Sequence, residues 1–174
     1  TSACRRTLRP VIEANNHLLF YPVQYEGLEQ SPNIVYLGAA PNQQIVPAIE
    51  WALRSGRKRL FLVGSDYVFP RVANAIIHDY VKKWRGEVVG ERYLLLGSQD
   101  VDDIIAEIVK RRPDAILNTI NGDSNIAFFR ALRAAGITPK DIQTISFSIS
   151  ENELGSIDPD LVAGDIASWN YFQS

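Results

Sequence analysis

Four stretches of this sequence gather most of the side chains able to do chemistry: YPVQYEG from Tyr21, GSDYVFPR from Gly64, NTINGDSN from Asn118 and SFSISENE from Ser146. They offer the hydroxyls of Tyr21, Tyr67 and Ser148, the amides of Gln24 and Asn121, the ring of Phe69, and the carboxylates of Asp123 and Glu151. They hold no histidine, cysteine or lysine, no glycine-rich phosphate loop and no histidine pair at metal spacing. Without a nucleophile beside a base, this set suits recognition of a small polar molecule more than its conversion. The expectation is therefore a binding protein with no catalytic residue, no metal and no cofactor. A buried carboxylate at Asp123 would accept hydrogen bonds from amide-type N–H groups, provided other donors satisfy its charge.

Each of these residues also has a purely structural reading. Ser65 and Asp66 would cap a helix opening at Pro70, a good first-turn residue. Asn121 to Ser124 would make a turn and an N-cap, so capping and ligand contact both stand for Asp123. Tyr67 and Phe69 read as core rings or as a pocket wall, and their place on a loop between Asp66 and Pro70 favours the wall. Glu151 and Glu153, two residues apart, face different sides of a helix. They read as partners of its dipole rather than as an acid–base pair.

The elements that must position these loops follow a regular alternation of apolar runs and amphipathic stretches. A helix is expected over 3–15, a short strand at HLLFYP and another at NIVYLG (33–38), then a helix in NQQIVPAIEWALRSG. Strand RLFLVG (59–64) leads to a helix over 70–84, and EVVGERYLLL to a helix over 101–112. Strand DAILNTI (114–120) leads to IAFFRALRAAG, and IQTISFS to a short helical turn at SENEL and to LVAGDIASW. Strands separated by helices of this length predict an α/β fold: a parallel sheet with helices on both faces. In such sheets the ligand lies beyond the carboxyl ends of the strands, which is where all four loops fall.

Composition narrows the partners. With 46% hydrophobic and 22% charged residues, the 174-residue chain has the make-up of a globular protein. Its 18 Lys and Arg against 20 Asp and Glu leave a net charge of -2 and no broad basic face for nucleic acid. The one dense basic stretch, Arg54 to Arg59, reads as solvated cations near a helix C-terminus. No apolar run reaches the roughly 18 residues of a membrane helix. The single cysteine, Cys4, excludes an internal disulfide and is expected to pack as a small hydrophobe. Because the chain opens at Thr-Ser-Ala-Cys, without an initiator methionine or a targeting segment, it is expected to be a fragment or a processed piece.

The segments LLFYPVQYEGLEQSPNIVYLGAAPNQQ, VGSDYVFPR, NTINGDSNIAFF and ASWNYFQS resemble the urea-type substrate-binding proteins of ABC transporters, in the branched-chain amino acid class of periplasmic binding proteins. The resemblance runs nearly the whole length. The amide sensor that regulates amidase expression shares YEG, SPNIVY, APNQ and GSDY, whereas FYPVQYEG and NGDSN sit nearer the urea type. The resemblance implies a type I lobe: residues 1–38 would end the first stretch of one lobe, 39–167 would form a second lobe, and 168–174 would cross back. It places ligand contacts at Ser2, Tyr21 and Val23 from the first lobe and at Tyr67, Phe69, Asn121, Asp123 and Ser148 from the second. Val23 and Phe69 stand where the amide sensor carries hydroxyls, which favours urea over acetamide. It further implies hinge closure on a small neutral ligand, an ABC permease or signalling partner, and an extracytoplasmic, typically periplasmic, location. The alternative is the ligand-sensing domain of a receptor or of an amide-responsive regulator.

Overall fold

The computed structural model describes residues 1–173 and contains two parallel sheets. Helix α1 (Ser2–Ala14) belongs with a two-stranded sheet of β1 (Leu19–Tyr21) and β2 (Ile34–Tyr36), in register from Leu19 opposite Ile34 to Tyr21 opposite Tyr36. The second sheet contains β3 (Arg59–Ser65), β4 (Glu87–Leu94), β5 (Ala115–Thr119), β6 (Gln143–Ser146) and β7 (Ile166–Ala167). Its order is β4-β3-β5-β6-β7 and every pairing is parallel. The connecting helices are α2 (Ile45–Arg54), α3 (Val68–Lys83), α4 (Asp102–Arg111), α5 (Ser124–Ala134) and the short α6 (Glu151–Leu154) and α7 (Pro159–Val162). No helix among the described residues is long and apolar enough to cross a membrane.

The run LFLV carries no alternation because β3 is covered on both faces. Phe61 and Val63 enter a core with Ile104, Ile108, Phe128 and Leu132 of α4 and α5. Leu60 and Leu62 point the other way, into a core with Ile49, Leu53, Ile77 and Val81 of α2 and α3. The α/β fold with helices on both faces is thus as expected. The chain runs outward from β3 to β4 and then returns to the opposite side of β3 with β5, so the order switches at the β3–β5 junction. A crevice beyond the carboxyl ends of these strands is where a sheet of this kind takes its ligand.

Several local expectations need correction. Helix α3 opens at Val68 rather than Pro70, which puts Phe69 in its first turn instead of on a loop. Ser65 and Asp66 do not cap it: the Ser65 hydroxyl accepts the Asn121 backbone N–H at 3.0 Å, and Asp66 pairs with Arg71 at 2.6 Å. Helix α7 was not foreseen. It is one turn long, and the Asp158 side chain caps it by accepting the Asp160 N–H at 3.1 Å. Cys4 lies exposed on α1 and is not packed. The basic stretch does lie at and just after the C-terminus of α2 with Arg54, Lys58 and Arg59 exposed, while Arg57 lies over the Trp51 ring at 4.8 Å and donates to Gln143 at 2.7 Å. Glu151 and Glu153 do lie in the first turn of α6, where Glu153 accepts the Ser150 N–H at 2.8 Å.

Candidate functional site

Ser2 and Arg5, three apart, share one side of α1 and are its two buried residues. Arg5 is wholly buried, and its charge is met from the chain that follows β1. Its Nη2 donates to Glu26 at 2.9 Å and its Nε donates to Glu29 at 2.8 Å. The guanidinium lies over the Tyr21 ring at 4.8 Å and the Tyr25 ring at 5.4 Å, and Tyr25 stacks on Tyr36 at 4.6 Å. The Tyr36 hydroxyl donates to Glu29 at 2.9 Å.

Burial opposes each of these charges, and hydrogen bonds decide the outcome. For Arg5, burial pulls its pKa down, but the two carboxylates outweigh it and hold the pKa above the usual value. For Glu29, burial pushes up while Tyr36 and Arg5 pull down harder, leaving it below its ordinary 4.5. A depressed carboxylate contributes stability that is full above its unfolded pKa and is lost as pH falls through the folded one. Stability is therefore expected to decline as pH falls below 4.5. In Glu29→Gln the acid limb should flatten, with about 1 kcal/mol lost at neutral pH, measured by urea-free thermal melts across pH 3–7.

This ionic knot fixes the loop that leaves β1. Tyr21 ends the strand, and Gln24 and Glu26 follow on the loop, all three buried. The Gln24 Nε2 reaches across to the second sheet and donates to the Ser148 hydroxyl at 2.9 Å. The loop backbone itself packs closely on the strand β2 side because Gly38 has no side chain: a Cβ there would meet the Val23 carbonyl oxygen at 2.1 Å. Just beyond β3, the Tyr67 ring packs against the core of α2 and α3, and burial pushes its phenol up to about 12. Tyr67 is therefore a protonated O–H donor at neutral pH. Among the described residues, the Tyr21 hydroxyl, the Gln24 Oε1 and the Glu26 Oε1 are buried without a hydrogen-bond partner. Burying a polar group unmatched costs about 1–3 kcal/mol, so three on one six-residue loop call for a functional explanation.

Of the residues expected at the site, Ser2 and Tyr21 meet at Arg5, with the Ser2 hydroxyl 3.5 Å from Arg5 Nη1, and Ser148 is reached by Gln24. Val23 does not join them, since its side chain is 46% exposed. Phe69 is buried in the core between α2, α3 and the sheet. Asn121 is half-buried at the rim, its side-chain amide donating to the Thr119 carbonyl at 3.0 Å. The expected buried carboxylate at Asp123 is not found: Asp123 is exposed at the start of α5 and caps nothing with its side chain. Beneath that loop, Asn118 holds the strand end by donating to Asn125 at 2.9 Å and to Ser146 at 3.1 Å. Sequence reasoning missed Arg5 and Glu26 and noted Gln24 without assigning it. The available signal was one arginine three residues after Ser2 and two glutamates within five residues of Gln24.

A separate hollow of about 360 Å³ lies near β7, walled by Phe129, Ile149, Leu154, Val162 and Ile166. Its acids are already engaged, Asp165 by Arg133 and Glu151 by the backbone N–H of Gln173. Its walls are mainly apolar, a poor match for orienting a polar solute.

A family model for the periplasmic binding protein domain matches residues 1–174. Among solved structures, the chain is similar to a periplasmic binding protein from Burkholderia mallei, with 16% identity and a TM-score of 0.82 over 92% of this chain and 44% of that one. It is similar to a branched-chain amino acid ABC transporter protein from Thermus thermophilus with bound valine, at 12% identity and a TM-score of 0.78 over 92% and 43%. A third is the solute-binding protein of an ABC transporter from Rhodopseudomonas palustris in complex with 3,4-dihydroxybenzoic acid, at 20% identity and a TM-score of 0.72 over 80% and 39%. The chain thus spans roughly two fifths of the length of the structures it matches. At these identities the likeness establishes the fold.

Proposed function

The chain belongs to the periplasmic binding protein domain family, and on that premise we propose that it captures a small neutral solute, urea or a short-chain amide, for an ABC transporter outside the cytoplasm. Residues 1–38 read as the end of one lobe's first segment, 39–167 as the second lobe and 168–174 as the return crossover. The observation that carries the reading is the group of partnerless polar atoms at Tyr21, Gln24 and Glu26, beside Ser148. Two of the three can only accept hydrogen bonds, so the guest must bring donors. Urea brings four N–H groups and one carbonyl oxygen for a tyrosine O–H.

Capture is then a physical event. The solute is held against the 21–26 loop, and the second sheet's Tyr67 and Ser148 complete its hydrogen bonds as the two sides come together. Polar atoms of both sides are satisfied at once, and this differential satisfaction stabilises the closed arrangement. An aromatic acid such as the one held by the R. palustris protein would set a carboxylate against Glu26, which argues for a neutral guest here.

The test is a thermal-shift screen of the intact protein against urea, formamide, acetamide, valine and 3,4-dihydroxybenzoate. At a hundredfold excess over Kd, a true ligand stabilises by about 2.7 kcal/mol, several degrees for a chain of this size. A rise with urea or an amide supports the reading. A rise with valine or the benzoate alone overturns it.

A further inference from the structure

We propose that Glu26 is the residue that sets ligand class at this site, admitting uncharged N–H donors and refusing carboxylates. The inference rests on the capture reading above and adds what the site selects and why. Glu26 is 3% exposed, and Tyr21 and Gln24 are 7% exposed, so their unmatched atoms face protein rather than solvent. Two of the three unmatched atoms, the Gln24 and Glu26 oxygens, are acceptors, and the Tyr21 hydroxyl both donates and accepts. The Gln24 amide spends its N–H on Ser148, which leaves Oε1 as an acceptor. Glu26 gives Oε2 to Arg5, which leaves Oε1 as a second acceptor.

Charge points the same way. Arg5 is bonded to two carboxylates, so the trio of Arg5, Glu26 and Glu29 carries one positive and two negative charges, a net of -1, and the part-exposed Arg9 stands 4.0 Å from Glu29. An anion placed beside Glu26 Oε1 meets an acceptor and a like charge together, whereas an amide N–H meets an acceptor strengthened by charge. Arg5 also dictates what happens when Glu26 becomes glutamine. Its Nη2 needs an oxygen, so the new amide turns its carbonyl toward Arg5 and its NH₂ toward the ligand position. The same side-chain volume then presents a donor where there was an acceptor.

Calorimetry on the intact protein with urea, with acetamide and with acetate, the isostere of acetamide, tests this. Wild type is expected to bind acetamide or urea at least about tenfold more tightly than acetate, as sites built to pair a particular group reject analogues lacking it. Glu26→Gln is expected to lose about tenfold or more in urea affinity while acetate affinity holds or rises. Acetate binding as tightly as acetamide in wild type overturns the selector role and leaves the capture reading standing. Unchanged discrimination in a folded Glu26→Gln protein does the same. If neither urea nor either amide binds, the capture reading itself fails. Should the variant not fold, the wild-type comparison of acetamide with acetate still decides.

Discussion

Replacing Arg5 with alanine is expected to lower stability by about 3–5 kcal/mol, because it leaves Glu26 buried without its ion partner and Glu29 with only the Tyr36 hydroxyl and the more distant Arg9. Glu26 and Glu29 both depend on the Arg5 guanidinium, at 2.9 and 2.8 Å, and three tyrosine rings lie around it. At about 2–4 °C per kcal/mol for a protein of this length, the melting point should fall by roughly 10 °C. The loss is structural in origin but reaches function, since Tyr21 and Glu26 take their positions from that side chain. Removing the charges together should cost less: Arg5→Met combined with Glu26→Gln and Glu29→Gln exchanges an ionic knot for neutral groups of similar volume. Melts of the single and triple variants check both statements. A single-variant shift under about 2 °C would show that Arg5 is not what holds the loop.

Gly38→Ala should produce the second large effect. The added Cβ would stand 2.1 Å from the Val23 carbonyl oxygen, 2.2 Å from its carbon and 2.6 Å from the Gln24 nitrogen. All three are backbone atoms, which cannot swing aside as a side-chain end can. The segment must move, and overpacking of this kind costs about 1–3 kcal/mol and occasionally more. Gln24 would be carried off Ser148, so ligand affinity should fall with stability. Val23→Ala is the control, because the exposed Val23 side chain takes no part in the clash and its removal should change neither quantity measurably. Equal effects from the two substitutions would show that the close backbone approach does not matter.

The period of the pattern made the fold legible. LFLV is an unbroken apolar run because helices cover β3 on both sides, and Ile104, Ile105 and Ile108 recur at helical spacing because one side of α4 faces the core. Short elements were less visible: α7 is a single turn whose start is set by one aspartate and one proline. At the site, Tyr21, Tyr67 and Ser148 were legible as polar groups at strand ends. Phe69 was misplaced because the helix opens two residues early and turns the ring inward. Arg5 and Glu26 were missed for a physical reason. A charged residue on a short amphipathic helix ordinarily faces water, and its burial here follows from carboxylates supplied 21 and 24 positions later. Local periodicity carries no trace of such a pairing. Asp123 is exposed and Glu26 buried for the same cause, since burial is decided by the tertiary contact.

The central claim is that a sealed set of acceptors on the loop after β1 receives the N–H groups of a small neutral guest. A crystal structure of the intact protein grown with urea tests it most directly. The account predicts urea nitrogens within hydrogen-bond distance of the Gln24 and Glu26 side-chain oxygens and the urea oxygen facing a tyrosine hydroxyl. Urea bound elsewhere, with Tyr21, Gln24 and Glu26 untouched and still unmatched, would contradict it.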